Sequence, residues 1–379
     1  MAIPYGRQHI TEEDIAVVAE TLRSDYLTGG PRIAQFEETF ARYIGSKYAV
    51  AVANGTAALH LSAMSLGVKP GHKVITTPNT FSASANCVLY CGGEIDFADI
   101  DPQTLLLDPN LVEDKLRQVP KGSYQGIIPV DFAGMPVNME DFRTLADRYD
   151  CWLLEDACHA PGGFFVDTQG NQQFCGNGTF AELAIFSFHP VKHIASGEGG
   201  MITTNNEAHY QQLLRLRTHG ITRERHLLAE DHGGWYYEML ELGYNYRLSD
   251  IQAALGWSQL KRAKEGLARR RELASRYDEA FAGTALQSPL PHPGHAYHLY
   301  VVQINDRKGL YEHLRKKGIY AQVHYIPVHY QPYYQQLGWK KGDFPHTEAY
   351  YERCLSLPLY PTLTDEEQQF VVESVQEFV

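Results

Sequence analysis

The residues best placed to do chemistry lie between positions 187 and 200. Ser187 closes the apolar run 183–186, and Lys192 follows it just before the glycine-rich stretch 197–200. A lysine between a buried strand and a glycine-rich turn is partly desolvated, which lowers the pKa of its ammonium group and yields a usable amine. Such an amine forms Schiff bases with aldehydes. The segment therefore indicates covalent chemistry at Lys192.

Two other apolar runs end in residues that suit the same ligand. Residues 152–154 are followed by Glu155 and Asp156, and residues 49–53 are followed by Asn54-Gly55-Thr56 and a helical pattern. Ligands of open α/β sheets bind beyond the carboxyl ends of the strands. An amine, a carboxylate and a helix N-terminus can therefore face one molecule. Pyridoxal phosphate, a cofactor with an aldehyde, a basic ring nitrogen and a phosphate, requires this combination.

Each of these residues has a physical role in that interpretation. The turn at Thr56 and Ala57 offers backbone N–H groups to the phosphate, and the hydroxyl of Ser187 adds a donor. Asp156 would keep the ring nitrogen protonated, which makes the ring an electron sink. Lys192 would bind the cofactor and move the proton at the substrate carbon. We therefore expect pyridoxal phosphate as the cofactor.

Two further side chains are candidates for contact with the cofactor ring. Phe81 could stack on the ring face, a contact that contributes about 1 kcal/mol beyond its buried area. His159 could hydrogen-bond the phenolic oxygen. Taken singly, each candidate has an ordinary alternative: a strand-end lysine is usually exposed, an aspartate often caps a turn, and most aromatic side chains lie in the core. Their order along the chain is what favours the cofactor interpretation.

The ordered motifs resemble those of the DegT/DnrJ/EryC1/StrS sugar aminotransferases along nearly the whole chain. They are Tyr26-Leu27-Thr28-Gly29-Gly30-Pro31, Asn54-Gly55-Thr56-Ala57-Ala58-Leu59, Glu155-Asp156-Ala157-Cys158-His159-Ala160, residues 187–192, Gly197-Glu198-Gly199-Gly200 and Gly243-Tyr244-Asn245-Tyr246-Arg247-Leu248-Ser249-Asp250. The resemblance implies an α/β fold of the fold-type-I class of pyridoxal phosphate enzymes. It implies a mainly parallel seven-stranded sheet in a large domain, with a small C-terminal α+β domain.

The resemblance also implies roles that spacing cannot supply. Asn245 would reach the phosphate of the neighbouring subunit's cofactor, so a homodimer with shared active sites is expected. Substrate contacts would come from Thr28 and Gly29, and from Tyr325 and His329 in a Tyr-x-Pro-x-His segment. A dehydratase branch that resembles these transaminases has histidine at the lysine position. Here Lys192 is present, although a histidine follows it.

The implied reaction moves an amino group from L-glutamate to the C4 keto group of a UDP-linked 4-keto-6-deoxy-N-acetylhexosamine. Residues 187–200 and 217–223 are most similar to the branch of the family in pseudaminic acid biosynthesis. Two alternatives stay open: another nucleotide-linked 3- or 4-keto sugar as substrate, and a non-catalytic regulatory protein with the same fold. A dehydrogenase is disfavoured, since no Gly-x-Gly-x-x-Gly opens a helix after the first strands.

Composition narrows the class of protein. The chain has 379 residues, long enough for two domains, and a net charge of −12, which argues against a nucleic-acid surface. It has no apolar run that could span a membrane and no signal-peptide core, so we expect a cytoplasmic protein. Its six cysteines show no paired Cys-x-x-Cys spacing. Neither disulfides nor a metal site is expected, and Pro327 separates His324 from His329 in a way that disfavours a shared metal.

Seven short apolar runs alternate with helical patterns in the first part of the chain, which is typical of a parallel sheet covered on both faces. A helix beginning after Thr11 should present Ile15, Val18 and Leu22 on one face. We place the large cofactor-binding domain at 1–248. The small domain, at 249–379, should begin with one long helix to Phe281 and include a strand at 319–325. The polar segment 222–235 is either a solvated loop or a flap whose Arg223 or Arg225 binds phosphate.

Overall fold

The computed structural model describes residues 2–379. Within this range the regular elements comprise thirteen α-helices, fifteen strands and three single-turn 3₁₀ helices. The α-helices are α1 (Glu12–Leu22), α2 (Pro31–Ile44), α3 (Gly55–Ser65), α4 (Ala83–Tyr90), α5 (Pro109–Arg117), α6 (Met139–Tyr149), α7 (Glu207–Leu216), α8 (Asp250–Leu260), α9 (Ala263–Phe281), α10 (Arg307–Lys316), α11 (Pro332–Gln336), α12 (Pro345–Arg353) and α13 (Asp365–Gln376). The strands are β1 (Ile3–Pro4), β2 (Tyr48–Val52), β3 (Lys73–Thr76), β4 (Glu94–Phe97), β5 (Gly126–Ile128), β6 (Trp152–Asp156), β7 (Phe164–Val166), β8 (Gln172–Phe174), β9 (Leu183–Ser187), β10 (Gly200–Thr204), β11 (Ile221–Thr222), β12 (Glu238–Met239), β13 (Tyr300–Gln303), β14 (Ile319–Tyr320) and β15 (Cys354–Leu357).

A seven-stranded sheet forms the centre of the molecule, in the order β2-β10-β9-β6-β5-β3-β4. Only β10 runs antiparallel to its neighbours; the other strand pairs of this sheet are parallel. Its inner strands are buried almost throughout, because helices cover both faces, and this explains why they read as continuous apolar runs rather than alternating ones. The predicted fold class is confirmed, and each of the seven predicted runs contributes one strand.

The parallel strands bring three functional termini to one edge of the sheet. β6 pairs with β9 in a register that places Asp156 opposite Ile185, so Asp156 lies next to the end of β9 at Ser187. β2 leads directly into α3, which begins at Gly55. Since parallel strands all end at the same edge, the carboxylate, the serine and the helix N-terminus converge there.

The C-terminal part differs in two respects from the sequence prediction. The helical segment after Ser249 is two helices, α8 and α9, separated at Arg262, where φ is −104° and ψ is 7°. The strand expected at 319–325 is limited to β14, which pairs with β1 near the N-terminus. Beyond it, Gln322 alone bridges to Ser356. β13 and β15 form a separate antiparallel pair. A domain boundary at residue 248 stays our proposal.

The first helix forms as predicted but presents an unexpected face. Thr11 caps α1 in a capping box with Asp14, an arrangement that stabilises a helix by about 1 kcal/mol. The side chains of α1 that are buried against the protein are Asp14 and Thr21, and Asp14 accepts a 2.7 Å hydrogen bond from Arg262. Ile15 and Leu22 are exposed. The expected apolar face therefore points away from this chain, because a polar network anchors the opposite face.

Candidate active site

A cavity of about 460 Å³ opens at the carboxyl edge of the sheet. Seven of the residues predicted from the sequence line it: Thr56, Phe81, Asp156, His159, Ser187, Lys192 and Tyr325. They come from five segments that are far apart in the chain, so the fold brings together most of the predicted set. Phe81 is 59% exposed and lies 6.1 Å from the Tyr325 ring, centroid to centroid, at the rim of the cavity.

Lys192 lies in the turn that follows β9. Its backbone N–H donates to the carbonyl oxygen of His189, and its side chain points into the cavity, where Nζ is 3.4 Å from Nε2 of His298. Burial lowers the pKa of Lys192, and the charge of Arg270 acts in the same direction. Asp156 and Cys158 oppose the shift. The amine is therefore more readily deprotonated than that of an exposed lysine.

Asp156 is fixed by two hydrogen bonds. Its Oδ2 accepts from the hydroxyl of Ser84 at 2.7 Å, and its Oδ1 accepts from the backbone N–H of Cys158 at 3.2 Å. Because the Ser84 proton is used in this bond, the 2.8 Å contact between Thr80 and Ser84 has Thr80 as the donor. A three-residue chain of hydroxyls and carboxylate thus orients Asp156 in the cavity wall.

The N-terminus of α3 supplies backbone donors to the same cavity. Asn54 caps the helix, and its Oδ1 accepts the N–H of Ala57 at 2.8 Å. The Ala57 N–H is therefore already bonded in this arrangement, and its contact with the phosphate stays a prediction. The N–H groups of Gly55 and Thr56 have no acceptor within residues 2–379 and remain free to bind an anion.

The predicted ring contact His159 is hydrogen-bonded on both nitrogens. The backbone N–H of Ala133 donates to Nδ1 at 3.2 Å, and Nε2 lies 3.1 Å from the hydroxyl oxygen of Tyr325. Burial lowers the pKa of His159 well below its ordinary value, so the ring is neutral. Its single proton is on Nε2, since Nδ1 accepts. His159 therefore donates to Tyr325, which leaves the Tyr325 proton free to serve a ligand in the cavity.

Three predicted substrate residues and the predicted subunit-bridging residue do not line the cavity. Thr28 and Gly29 lie at the exposed surface, where the backbone of Thr28 bridges to Ser249. His329 is fully buried and bonds to Glu348 through Nε2 at 3.0 Å, so it is a core residue of the C-terminal part and cannot contact a ligand there. Asn245 is exposed, on a segment that lies beside the end of β2.

The polar segment 222–235 lies outside the cavity as well. It leaves the sheet region at β11, passes through a 3₁₀ turn and returns at β12, which pairs with β11. Arg223 lies over the ring of Tyr237, 5.8 Å from its centroid. Neither Arg223 nor Arg225 lines the cavity of its own chain. The segment 222–235 therefore does not cover the cavity of its own chain.

Comparison with known proteins decides the family. The family model described as "DegT/DnrJ/EryC1/StrS aminotransferase family" matches residues 8–376. The chain belongs to this family. It is 40% identical over 388 residues to the spore coat polysaccharide biosynthesis protein SpsC of Bacillus subtilis. The matched region covers all of this chain and 97% of SpsC.

Solved structures agree in fold over the full length. Helicobacter pylori PseC, an aminotransferase involved in the biosynthesis of pseudoaminic acid, has a TM-score of 0.89 and 31% identity, over 100% of this chain and 99% of PseC. The putative sugar aminotransferase Spr1654 of Streptococcus pneumoniae, in its PMP form, has a TM-score of 0.91 and 28% identity, over 99% and 98% of the two chains. A PLP form of the same protein also matches. This chain is a pyridoxal phosphate-dependent sugar aminotransferase.

The cavity of this aminotransferase fits the cofactor. A Cβ atom at Gly55 would lie 3.0 Å from Cβ and 3.3 Å from Oγ of Ser187, so only glycine leaves the space between the helix N-terminus and the serine open. Gly55, Thr56 and Ser187 would hold the phosphate, Asp156 the ring nitrogen, and Lys192 the aldehyde. The donor set and the space therefore match a group with an anionic and an aromatic part.

Sequence reasoning missed four side chains of the cavity wall: Tyr5, Ser84, His298 and His324. Ser84 lies within α4, where a serine has no special signal, and Tyr5 lies in the N-terminal segment. His298 and His324 come from the C-terminal part of the chain, far from the motifs. The only sequence signal for a role of these two residues in the site was that both are histidines. It is a weak one, since the chain has 17 histidines.

Next to Asp156, two further acidic residues, Asp131 and Glu155, are buried. One side-chain ligand atom each of Asp131, Glu155 and Cys175 lies within 4.8 Å of the others, and all three residues are buried. The backbone N–H of Asp131 donates to the carbonyl oxygen of Asp156. Burial raises the pKa of both Asp131 and Glu155, and their mutual repulsion reinforces the shift for Glu155. The pair therefore retains a proton at neutral pH.

No helix within residues 2–379 combines the length and the apolar character that a membrane span requires. The six cysteines are free thiols in the structure.

Proposed function

We propose that this protein transfers the amino group of L-glutamate to the C4 keto carbon of a UDP-linked 4-keto-6-deoxy-N-acetylhexosamine, as in pseudaminic acid biosynthesis. The observation on which this depends most is the convergence of Lys192, Asp156 and Ser187 on one cavity at the N-terminus of α3. The similarity to PseC over the whole chain supports the choice of sugar.

Different residues of this chain have different roles in such a transfer. When bound, pyridoxal phosphate supplies an aldehyde that exchanges amino groups and a ring that stabilises negative charge on the substrate carbon. Lys192 binds the aldehyde and, once released, takes and returns a proton at the substrate carbon through Nζ. Asp156 holds a proton on the ring nitrogen. The free proton of Tyr325 can donate to an oxygen of the sugar.

Transfer to a keto sugar balances in two halves. L-glutamate gives up its amino group and leaves as 2-oxoglutarate, and the C4 carbonyl of the sugar then becomes a C–NH₂ centre. Because the two substrates use the cavity in turn, ping-pong kinetics are expected. We propose that the active unit is a homodimer in which Asn245 of one subunit contacts the phosphate group in the other.

The surface of this chain supports the dimer. Apolar side chains are unusually exposed around the cavity entrance and the segment before Asn245: Phe81 is 59%, Leu242 72% and Trp235 74% exposed. Exposed apolar surface of this kind is typical of an interface. Asn245 adjoins it, and the bridge from Arg247 to Val52 places this segment beside the strand that leads into α3.

A second candidate substrate follows from the closer sequence match to SpsC. That protein is 40% identical, compared with 31% for PseC. A keto sugar nucleotide destined for a surface polysaccharide is therefore the alternative, with the same chemistry and a different sugar or nucleotide.

Turnover with defined keto sugars separates the two candidates. The purified enzyme is supplied with L-glutamate and, in parallel, with UDP-linked 4-keto-6-deoxy-N-acetylhexosamine epimers and with keto sugars on other nucleotides. We expect 2-oxoglutarate formation and a new amine at C4, identified by mass spectrometry and NMR, with the UDP-linked N-acetyl sugar giving the highest kcat/KM. A higher kcat/KM for a 3-keto sugar or for a different nucleotide would reject the first candidate.

A further inference from the structure

The amine of Lys192 has one hydrogen-bonded side-chain partner within residues 2–379. It is Nε2 of His298, 3.4 Å from Nζ. The two residues are 106 positions apart, and His298 lies just before β13 in the C-terminal part of the chain. No motif of the sequence includes His298, and the division of work described above assigns it no role.

His298 is held firmly in this position. The carbonyl oxygen of His298 accepts a 3.3 Å hydrogen bond from Nη1 of the buried Arg270. The next residue, Leu299, donates its N–H to the carbonyl oxygen of Ala133 at 3.1 Å. The backbone packs so closely on Gly134 that a Cβ atom there would lie 3.0 Å from the His298 nitrogen. The backbone at His298 is therefore held in place, which limits the positions that the imidazole can take beside the flexible lysine side chain.

The protonation states of Lys192 and His298 together determine the direction of the hydrogen bond. The side chain is buried, and burial, reinforced by the charge of Lys192, lowers the pKa of His298 well below its ordinary value. A neutral imidazole can accept on Nε2 while its proton is on Nδ1. The ammonium group of Lys192 then donates, and the neutral ring accepts.

We propose that His298 is a positioning residue for Lys192: it accepts a hydrogen bond from Nζ whenever the lysine is not attached to the cofactor, and so aims the amine at the reacting atoms. This rests on the proposed function, in which Lys192 is the amine that moves the proton. A lysine has four rotatable side-chain bonds, and a single fixed acceptor removes much of that freedom.

Other titratable groups also surround the amine and must stay unchanged in a test. They are Asp156, Cys158, His159, His193, Arg270 and His324. None of them forms a hydrogen bond with Nζ. The His298 ring also lies 4.4 Å from the His159 ring and 5.7 Å from the His193 ring, centroid to centroid. Two substitutions that both remove the ring but differ in reach therefore isolate the hydrogen bond.

The test compares two amides at one position. In His298→Gln the side chain is long enough to place an amide oxygen near the former Nε2, whereas in His298→Asn it is too short. His295→Leu is the control, because His295 is a buried histidine on the same segment that does not line the cavity. The cofactor-free full-length proteins are labelled with trace acetic anhydride between about pH 6 and pH 10, and modification of the Lys192 peptide is measured by mass spectrometry.

We expect the His298→Asn profile to shift to lower pH by about one unit, since an acceptor that stabilises the ammonium form is lost. His298→Gln and His295→Leu should retain the wild-type profile. In the loaded enzyme, kcat of His298→Asn should fall about tenfold, with the KM for sugar nucleotide unchanged.

Equal profiles for the Asn and Gln variants, or a shift to higher pH in the Asn variant, would overturn the proposal. Borohydride reduction of each cofactor-loaded variant, followed by peptide mapping, keeps the two claims distinct. Reduced cofactor on a residue other than Lys192 would refute the proposed function itself. Attachment at Lys192 together with equal profiles would refute only the role of His298.

Discussion

Ser84 donates a 2.7 Å hydrogen bond to the Oδ2 atom of Asp156, although 72 residues separate them in the chain. This bond orients the carboxylate that we propose holds the ring nitrogen of the cofactor. Since Ser84 lies on α4 and Asp156 ends β6, the helix and the strand must dock correctly before the carboxylate is oriented.

Replacing Ser84 with alanine should therefore impair the reaction more than it impairs the fold. We expect kcat to fall about 10-fold or more, because a hydrogen bond to a charged group contributes roughly 1.5–3 kcal/mol. The matched control is Ser82→Ala in the preceding turn, where Ser82 makes no cap hydrogen bond. Steady-state kinetics and thermal unfolding of both variants provide the measurement. An unchanged kcat in Ser84→Ala would contradict a role for the bond.

Gly55→Ala should weaken cofactor binding. The added Cβ would meet Ser187 at 3.0 Å, and it would occupy the space assigned to the phosphate between the helix N-terminus and the serine. We expect at least a tenfold higher dissociation constant for pyridoxal phosphate, measured by absorbance titration of cofactor-free protein. Gly234→Ala serves as the control, since a Cβ there meets nothing within 4 Å. Equal affinity in the two variants would place the phosphate elsewhere.

The buried acids predict a pH dependence of stability. Burial raises the pKa of Asp131, so between the ordinary pKa near 4 and the raised value the folded state keeps a proton that the unfolded state releases. Stability must then fall as pH rises through this window, by up to about 1.4 kcal/mol per pH unit.

Asp131→Asn removes that proton uptake. The free energy of unfolding of the variant, relative to wild type, should increase between about pH 4 and pH 7, the range bounded by the ordinary pKa and the raised pKa of about 7. Comparison at each pH cancels the opposite contribution of the buried neutral histidines, such as His159, whose pKa is lowered. Denaturant unfolding at several pH values gives the difference. A difference that stays constant with pH would mean that Asp131 is ionised in the fold.

Mixing two inactive variants tests the shared active site. If Asn245 serves the neighbouring subunit, a dimer of one Lys192→Ala chain and one Asn245→Ala chain contains one site in which both residues are native. Random mixing should restore about a quarter of the wild-type activity, because half of the dimers are mixed and each has one intact site. The variants are mixed after reversible dissociation, and each variant alone is the control. No gain on mixing would show that Asn245 acts within its own chain.

The fold and the centre of the site could be predicted because their signals are local. Each strand of the central sheet is a short apolar run, and Asp156, Ser187 and Lys192 lie at or just beyond the ends of such runs. Parallel strands then bring these ends together without further information. The main fold prediction followed from this regularity.

The remainder depends on contacts between distant segments. His329 is buried because Glu348, on α12, lies opposite it. The exposed side of α1 follows from the bond between Asp14 and Arg262. None of these pairings has a periodic pattern, so a single sequence could not have revealed them.

The central claim is that Lys192 is the amine that binds the cofactor, and reduction of the loaded enzyme tests it most directly. Borohydride should abolish the visible absorbance of the yellow protein, and peptide mapping should place the reduced cofactor on Lys192 alone. Lys192→Ala, mixed with pyridoxal phosphate in the same way, should acquire no such label and no transfer activity. A label on another lysine, or amino transfer by Lys192→Ala at the wild-type rate, would contradict the account.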